Sequence, residues 1–514
     1  MRGVYTSVND IRKMVFAEVA RLAYDYQDGD LSQMEQIPYR IIPGEISTCR
    51  ESVFLERAIV GERMRLAMGL PFRAASEHAP VSEGALECVR PEKYYQPPLI
   101  NIIKFACHKC PDNIVHVTDV CQGCLAHPCQ EVCPKNAISF ADGKSVIDQE
   151  KCVKCGKCIT ACPYSAIIRQ ERPCAKACGM NAIRADEYGR ADIDQEKCVS
   201  CGMCLVNCPF GAISDKAQIF QTIQAIKSDV PVYAAIAPAV EGQFGPGLAP
   251  GRIRSAFQAL GFTDVIEVAI GADLCTIEEA GDFMKEVPEK LPFMATSCCP
   301  AWSMMARKLF PDYSECISMA LTPMVLTGRL MKKKYPGCKV AFIGPCAAKK
   351  LEAMQQELRS DVDFVLTYEE LMGIFEAKAI DFSQLPDTQD LHDASGLGRG
   401  FAAAGGVAAA VEEVLRRTNP EMAVKIQRAD GLRECRRLLT LAKAGKLDGY
   451  LLEGMACPGG CVAGAGTIIP AEAAKKQLDA HAKQATVFSC AESPYRAFAG
   501  LLEEPAAREE ETKR

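Results

Sequence analysis

Apolar residues in the C-terminal half of the chain fall in short unbroken runs, separated by longer stretches whose apolar positions recur with helical spacing. The runs at 232–236, 265–269, 293–296, 340–343, 364–367 and 450–452 have the length and composition of buried strands. Strands alternating with helices from Pro231 onward predict α/β architecture. At the other end of the chain, Ile11, Met14, Val15, Val19 and Leu22 share one helical face, so 8–26 reads as a helix with Ser7 as candidate N-cap. A second helix is expected over 52–68, followed by a proline-containing extended linker at 91–98.

Between these halves, periodicity gives way to cysteine. The boundaries this sets are a helical N-terminal segment at 1–104, a cysteine-punctuated region at 105–215, an α/β region at 216–500 and a charged tail at 501–514. A chain of 514 residues with 48% hydrophobic content accommodates two to four domains. No span of eighteen uncharged apolar residues appears, and Asp10, Arg12, Lys13 and Glu18 occupy the place of a signal peptide's apolar core. The expectation is a cytoplasmic protein without membrane insertion. A net charge of −6 leaves no basic footprint for nucleic acid. Twenty-eight cysteines without an export signal, most in tight CxxC groupings, point to metal ligation and not to disulfides. Cys49, Cys88, Cys275, Cys316, Cys338, Cys435 and Cys490 lie outside every grouping and read as buried small hydrophobes.

Cys152, Cys155, Cys158 and Cys162 form CxxCxxCxxxCP, and Cys198, Cys201, Cys204 and Cys208 repeat it. The flanks repeat too, VIDQEKCVKCGKC recurring as DIDQEKCVSCGMC. This spacing resembles bacterial ferredoxins of two clusters, in which three cysteines of a run hold one 4Fe4S cluster and the fourth crosses to the other. Crossing pairs Cys121, Cys124 and Cys129 with Cys162, and Cys152, Cys155 and Cys158 with Cys133. The second run is preceded by RPCAKACGMNAI, which has lost its first CxxC, while an unpaired CxxC stands at Cys107 and Cys110. One ferredoxin inserted inside another would give a third cluster from Cys178, Cys198, Cys201 and Cys204, and a fourth from Cys107, Cys110, Cys174 and Cys208. The alternative leaves Cys107 and Cys110 to bind separately, for example zinc with His108 or His116. Three to four clusters are therefore expected here.

Three further segments, ATSCCPAW (295–302), GPCAAKK (344–350) and EGMACPGGC (453–461), each follow a strand-like run. Loops beyond the carboxyl ends of parallel strands are where α/β sheets place their chemistry. Cys299, Cys346, Cys457 and Cys461 supply four thiolates, the number a 4Fe4S cubane needs, and Cys298 is left over. The three segments resemble, in order and content, the signature motifs of the FeFe (iron-only) hydrogenases, and their wording is closest to the group B branch. Three departures surround the motifs: TSCCPAW stands where TSCCPGW is usual, GPCAAKK where MPCxxK is usual, and VAGAGT follows Cys461 in place of a glycine run ending in GQP.

The resemblance implies an H-cluster, a cubane joined through Cys461 to a two-iron subcluster with CO, cyanide and a bridging dithiolate. It implies reversible reduction of protons to H2, with Cys298 as the last proton donor. Glu279 and Asp282 resemble the family's acidic relay, the second being commonly Glu, and two solvent-facing carboxylates are the alternative. Lys349 would hydrogen-bond a cyanide and Met455 would line the two-iron pocket. Electrons would come through the ferredoxin clusters from a soluble ferredoxin, and maturation proteins are implied partners. An H2 sensor on the same fold, and a silent relative serving iron-sulfur assembly or electron transfer, are the competing readings. SGLGRG (395–400) and Gly405-Gly406 lack a complete strand-loop-helix fingerprint, so nucleotide binding is not expected.

Overall fold

The parallel strands of the α/β half divide between two sheets. Asp264–Glu267, Val232–Ile236, Lys339–Ile343 and Phe364–Leu366 form a four-stranded parallel sheet in that order. Met294–Ala295, Tyr450–Met455 and Lys425–Asp430 form a second parallel sheet of three. The division follows from the chain between them. Met294–Ala295 is only two residues long and lies between Pro292 and the turn into Cys299; it pairs with Leu451 and Leu452, with a single further bridge from Ala295 to Ile317. The computed structural model describes residues 6–500 apart from 28, 75, 91–96, 246–247, 356–357, 389–390 and 392–393. Most of the expected 91–98 linker and all of the 501–514 tail therefore lie outside the described residues.

The N-terminal helix, Ser7–Asp25, is capped by Thr6, whose hydroxyl accepts from the Asn9 amide at 3.2 Å; Ser7, the expected cap, is its first helical residue. Its apolar face does not stand apart from the α/β half. Val15, Phe16, Val19 and Leu22 are buried in the same core as Ile223, Tyr368, Leu371 and Phe375. Each such side chain is worth about 1.5–3 kcal/mol when buried, so the helix is a structural wall of the main core. Arg12 pairs with Glu369 at 2.6 Å across this seam. The second helix, Val53–Ala67, is capped by Ser52 and packs beside the first.

The cysteine-rich region is a set of short antiparallel pairs, and the pairs are nested. Ile114–Val117 pairs with Ile167–Gln170, enclosing the hairpin Ile138–Ala141 with Lys144–Ile147. Outside this unit Ile100–Ile102 pairs with Ile213–Asp215, and Ile183–Ala185 pairs with Ala191–Ile193. Asp215, the last residue of the outer pair, meets Lys350 Nζ at 2.7 Å, and Lys350 also pairs with Glu370. That fully buried lysine ties the cysteine-rich region to the α/β half.

Of the seven cysteines outside the groupings, six are buried and Cys49 is exposed, against expectation. It precedes the helix at Val53, in a loop whose Thr48, Cys49 and Arg50 amides all donate to Glu56. The glycine-rich stretch after Ser395 is a short helix, Gly396–Gly400, whose Arg399 pairs with buried Glu267 at 2.9 Å. Among the described residues no helix is long and apolar enough to cross a membrane.

Candidate metal centre

The carboxyl ends of both sheets lead into the same space. From the three-stranded sheet, Met294–Ala295 runs into Cys299, the N-cap of the helix Pro300–Leu309. From the neighbouring strand, Tyr450–Met455 runs into Cys457 and Cys461, and the Ala456 amide donates to Cys299 Sγ at 3.4 Å. From the four-stranded sheet, Lys339–Ile343 runs into Cys346, the N-cap of Ala347–Glu352. Trp302 braces the first two loops. It is fully buried, donates Nε1 to the Thr296 carbonyl at 3.0 Å, and lies so close to Gly454 that a Cβ there would stand 2.2 Å from the ring.

Burial, and after it the nearness of other thiols, pushes Cys346 up to about 11 and raises Cys457 and Cys461 as well. Cys346 feels Cys299, Cys457 feels Cys346, Cys299 and Cys461, and Cys461 feels Cys346 and Cys299. Four thiols that resist ionising together in so dry a place suit a positively charged iron group set among them. Among the described residues no three His, Cys, Asp or Glu side chains come close enough to hold a single metal ion. The four thiols match in number the ligands of a 4Fe4S cubane.

Cys298 packs with Ala272, Phe401 and Met455 on this centre, and burial holds its thiol well above the ordinary value. Behind it, Glu279 is fully buried on the helix Ala269–Glu286 and accepts from the Ser297 amide at 2.9 Å. Burial raises it to about 7, against the lowering effect of the Ser297 hydrogen bonds. Asp282, one turn along, is half-buried, so the two carboxylates do not share one environment. Burial acts to discharge Lys349, but Glu352 at 2.7 Å, and beyond it Cys346 and Cys298, outweigh this and keep the ammonium charged.

Two carboxylates here were not singled out from sequence. Glu352 completes the Lys349 pair, and its place three residues on in AAKKLE was the available signal. Glu453, buried on the strand before Met455, accepts from the Gly405 and Ala408 amides at 2.6 and 2.8 Å at the start of the helix Gly406–Thr418. Its charge reaches Cys298, Glu279 and Cys461.

The remaining cysteines gather in four sets. Cys121, Cys124, Cys129 and Cys162 line one cavity; Cys133, Cys152, Cys155 and Cys158 line a second; Cys107, Cys110, Cys174 and Cys208 line a third. His108, weighed above as a zinc ligand, is also in the wall of that third cavity, with its ring stacked on Phe210 at 4.2 Å. Cys204 feels Cys201, Cys198 and Cys178, making the fourth set, and then Cys174 of the third. The fourth set abuts the main centre: Cys201 feels Cys346, and Gly202, at φ +76°, lies where a Cβ would be 2.4 Å from Ala465 Cβ and 3.3 Å from Ala347 Cβ. The third and fourth sets thus lead one after the other to the main centre.

Three family models match the chain. Residues 230–465 match the iron-only hydrogenase large subunit, C-terminal domain; residues 121–171 an LdpA iron-sulfur cluster-binding domain; and residues 191–214 a 4Fe-4S binding domain. Iron hydrogenase 1 of Clostridium pasteurianum is 30% identical over 389 residues, 65% of this chain and 67% of that one. A probable cytosolic Fe-S cluster assembly factor of Aedes aegypti is 26% identical over 272 residues, 43% of this chain and 56% of its own. A solved FeFe-hydrogenase structure from Chlamydomonas reinhardtii superposes with a TM-score of 0.44 at 23% identity, covering 56% of this chain and 96% of that one.

Proposed function

The chain belongs to the iron-only hydrogenase family, and from that premise we propose that it catalyses the reversible reduction of protons to H2. The observation that carries this reading is the meeting of Cys299, Cys346, Cys457 and Cys461 with a fifth thiol, Cys298, and a buried carboxyl, Glu279, directly behind it. An iron group on those four thiolates would be an H-cluster, supplying the place where electrons and protons combine. Cys298 holds the exchangeable proton at its Sγ and faces the centre. Glu279, near neutrality at pH 7, resupplies it from the far side, and Ser297 fixes the carboxyl's orientation through its amide and hydroxyl. Lys349, anchored by Glu352, presents a fixed cation to anionic iron ligands, and buried Met455 and Phe401 exclude water.

The four outer thiol sets would each hold a 4Fe4S cluster, at potentials of about −400 mV typical of such clusters, and pass electrons from a soluble ferredoxin-like protein. Maturation proteins would install the two-iron subcluster. The Aedes aegypti relative supports a second reading, an iron-sulfur assembly role without turnover. Cys298 favours the first, since a fifth thiol at the centre has no part in simply holding a cubane.

The test is H2 evolution from reduced methyl viologen by anaerobically purified, matured protein, with Cys298→Ala alongside and iron counted in both. The expected outcome is turnover in the native chain and at least a hundredfold loss in the variant at unchanged iron. A fully loaded native chain without turnover sinks the enzymatic reading in favour of the assembly role.

A further inference from the structure

One of the three cysteine-lined cavities differs from the other two in its surroundings. The wall that holds Cys107, Cys110, Cys174 and Cys208 also contains Arg172. This side chain is buried, donates Nη2 to the Gly189 carbonyl at 3.0 Å, and leaves Nε and Nη1 without a hydrogen-bond partner. Asp112, the carboxylate paired with it, stands 4.0 Å away and is itself exposed. Arg63 repeats the pattern. It is buried, donates Nη2 to the Gly211 carbonyl three residues after Cys208, and again leaves Nε and Nη1 unpartnered. Burial, then Arg12 and Arg50, lower it to about 9, so it stays cationic at neutral pH, and Cys208 is the first of the charges that oppose the lowering. Arg50 in turn donates to the carbonyls of Ala106, just before Cys107, and Phe210, two residues after Cys208.

A buried, unpaired donor is costly, more so when charged. Two guanidiniums in that condition beside one set of thiols call for a negative group between them. The other two cavities lack such groups. That of Cys121, Cys124, Cys129 and Cys162 has no Lys, Arg, Asp or Glu in its wall, and the lysines around Cys133, Cys152, Cys155 and Cys158 reach solvent, where water and salt screen them.

We propose that Arg63 and Arg172 make the cluster held by Cys107, Cys110, Cys174 and Cys208 more easily reduced than the two clusters of the inner unit, an electron store behind the catalytic centre. The proposal rests on the reading that these four thiols hold a 4Fe4S cluster. Burial alone would disfavour adding negative charge here; two buried cations oppose this, one facing only an exposed carboxylate 4.0 Å away and the other feeling Cys208 more strongly than Glu369. Its reduction would take one electron from a cluster held by Cys178, Cys198, Cys201 and Cys204, which would be oxidised by losing it, and no bond would be made or broken.

Redox titration of the full-length, cluster-loaded protein, followed by electron paramagnetic resonance with iron counted, tests this. In the native chain one cluster signal should appear at potentials above those of the two inner-unit clusters. Arg63→Gln and Arg172→Gln should each shift that signal alone downward by at least tenfold in its reduction equilibrium, 59 mV for a one-electron couple, while Arg63→Lys and Arg172→Lys retain it. No separate high-potential signal, or one unmoved in both Gln variants at native iron content, overturns the proposal. Cys107→Ser should abolish the signal and lower the iron count; if it changes neither, the cluster assignment itself is what fails, and the proposal with it.

Discussion

Burial raises Glu279 to about 7, and this gives one residue two readable signatures. As a proton donor toward Cys298 it is competent while protonated, so H2 evolution should fall as pH rises through about 7. Glu279→Gln should lose that inflection and slow turnover by about 10²- to 10⁴-fold, as loss of general acid catalysis does. The second signature is stability. A carboxyl whose folded value lies above its unfolded value of about 4.3 stabilises the fold most below the unfolded value, and that contribution is lost as pH rises to about 7. Melting of the metal-free chain at pH 5 and pH 8 should therefore show a larger drop for the native protein than for Glu279→Gln. In sequence, Glu279 sits in IEEAGDF between Glu278 and Asp282 and reads equally as a solvent-facing acid. What distinguishes it is the amide of Ser297, a long-range partner that helical spacing does not reveal. Lys349 was legible through its motif, but Glu352 was not, because charges three residues apart on a helix are ordinarily surface pairs of little consequence.

At the scale of elements, the strands were legible where both faces are buried. Val232–Ile236 matches the expected 232–236, since an apolar run flanked by Pro231 and Pro238 permits little else. The expected 265–269 is shorter at its end, because Ala269 already begins the helix Ala269–Glu286. Lys425–Asp430 was missed altogether. It is the edge strand of its sheet, with Lys425, Gln427 and Arg428 exposed, and its polar character hides the period of two. The contact between Gly454 and Trp302 lets one element be tested by another. Gly454→Ala would drive a methyl group into the indole, which should cost about 3 kcal/mol and shift the denaturation midpoint accordingly. Because Trp302 is the chain's single tryptophan, its emission should move to longer wavelength in the variant while far-ultraviolet dichroism stays native. Unchanged emission and midpoint would mean that the two loops do not brace each other as described.

At the scale of the whole molecule, apolar runs indicate that strands exist but not which sheet each joins. The division into two sheets is set by the short reach of Met294–Ala295 and was not legible. Nor was the burial of the N-terminal helix against Tyr368–Ala377, a contact between segments remote in sequence. The cysteine repeats, in contrast, are local and carry their spacing openly. Nesting can be tested by excision. Ile114 and Gln170 face each other across an antiparallel pair, so residues 115–169 can be replaced by a two-residue Gly-Ser turn without stretching the outer unit. The shortened chain should lose the iron of two clusters and keep that of Cys107, Cys110, Cys174 and Cys208; loss of all outer iron would contradict independent units. The same topology constrains synthesis. Cys107 and Cys110 leave the ribosome well before Cys174 and Cys208, and the whole inner unit is made in between. The inner unit can complete both its ligand sets while the outer CxxC still waits for partners, and once folded it shortens the effective loop that outer closure must span. Cluster filling during translation should thus run from the inside of the nest outward, leaving the early CxxC open the longest to the wrong metal.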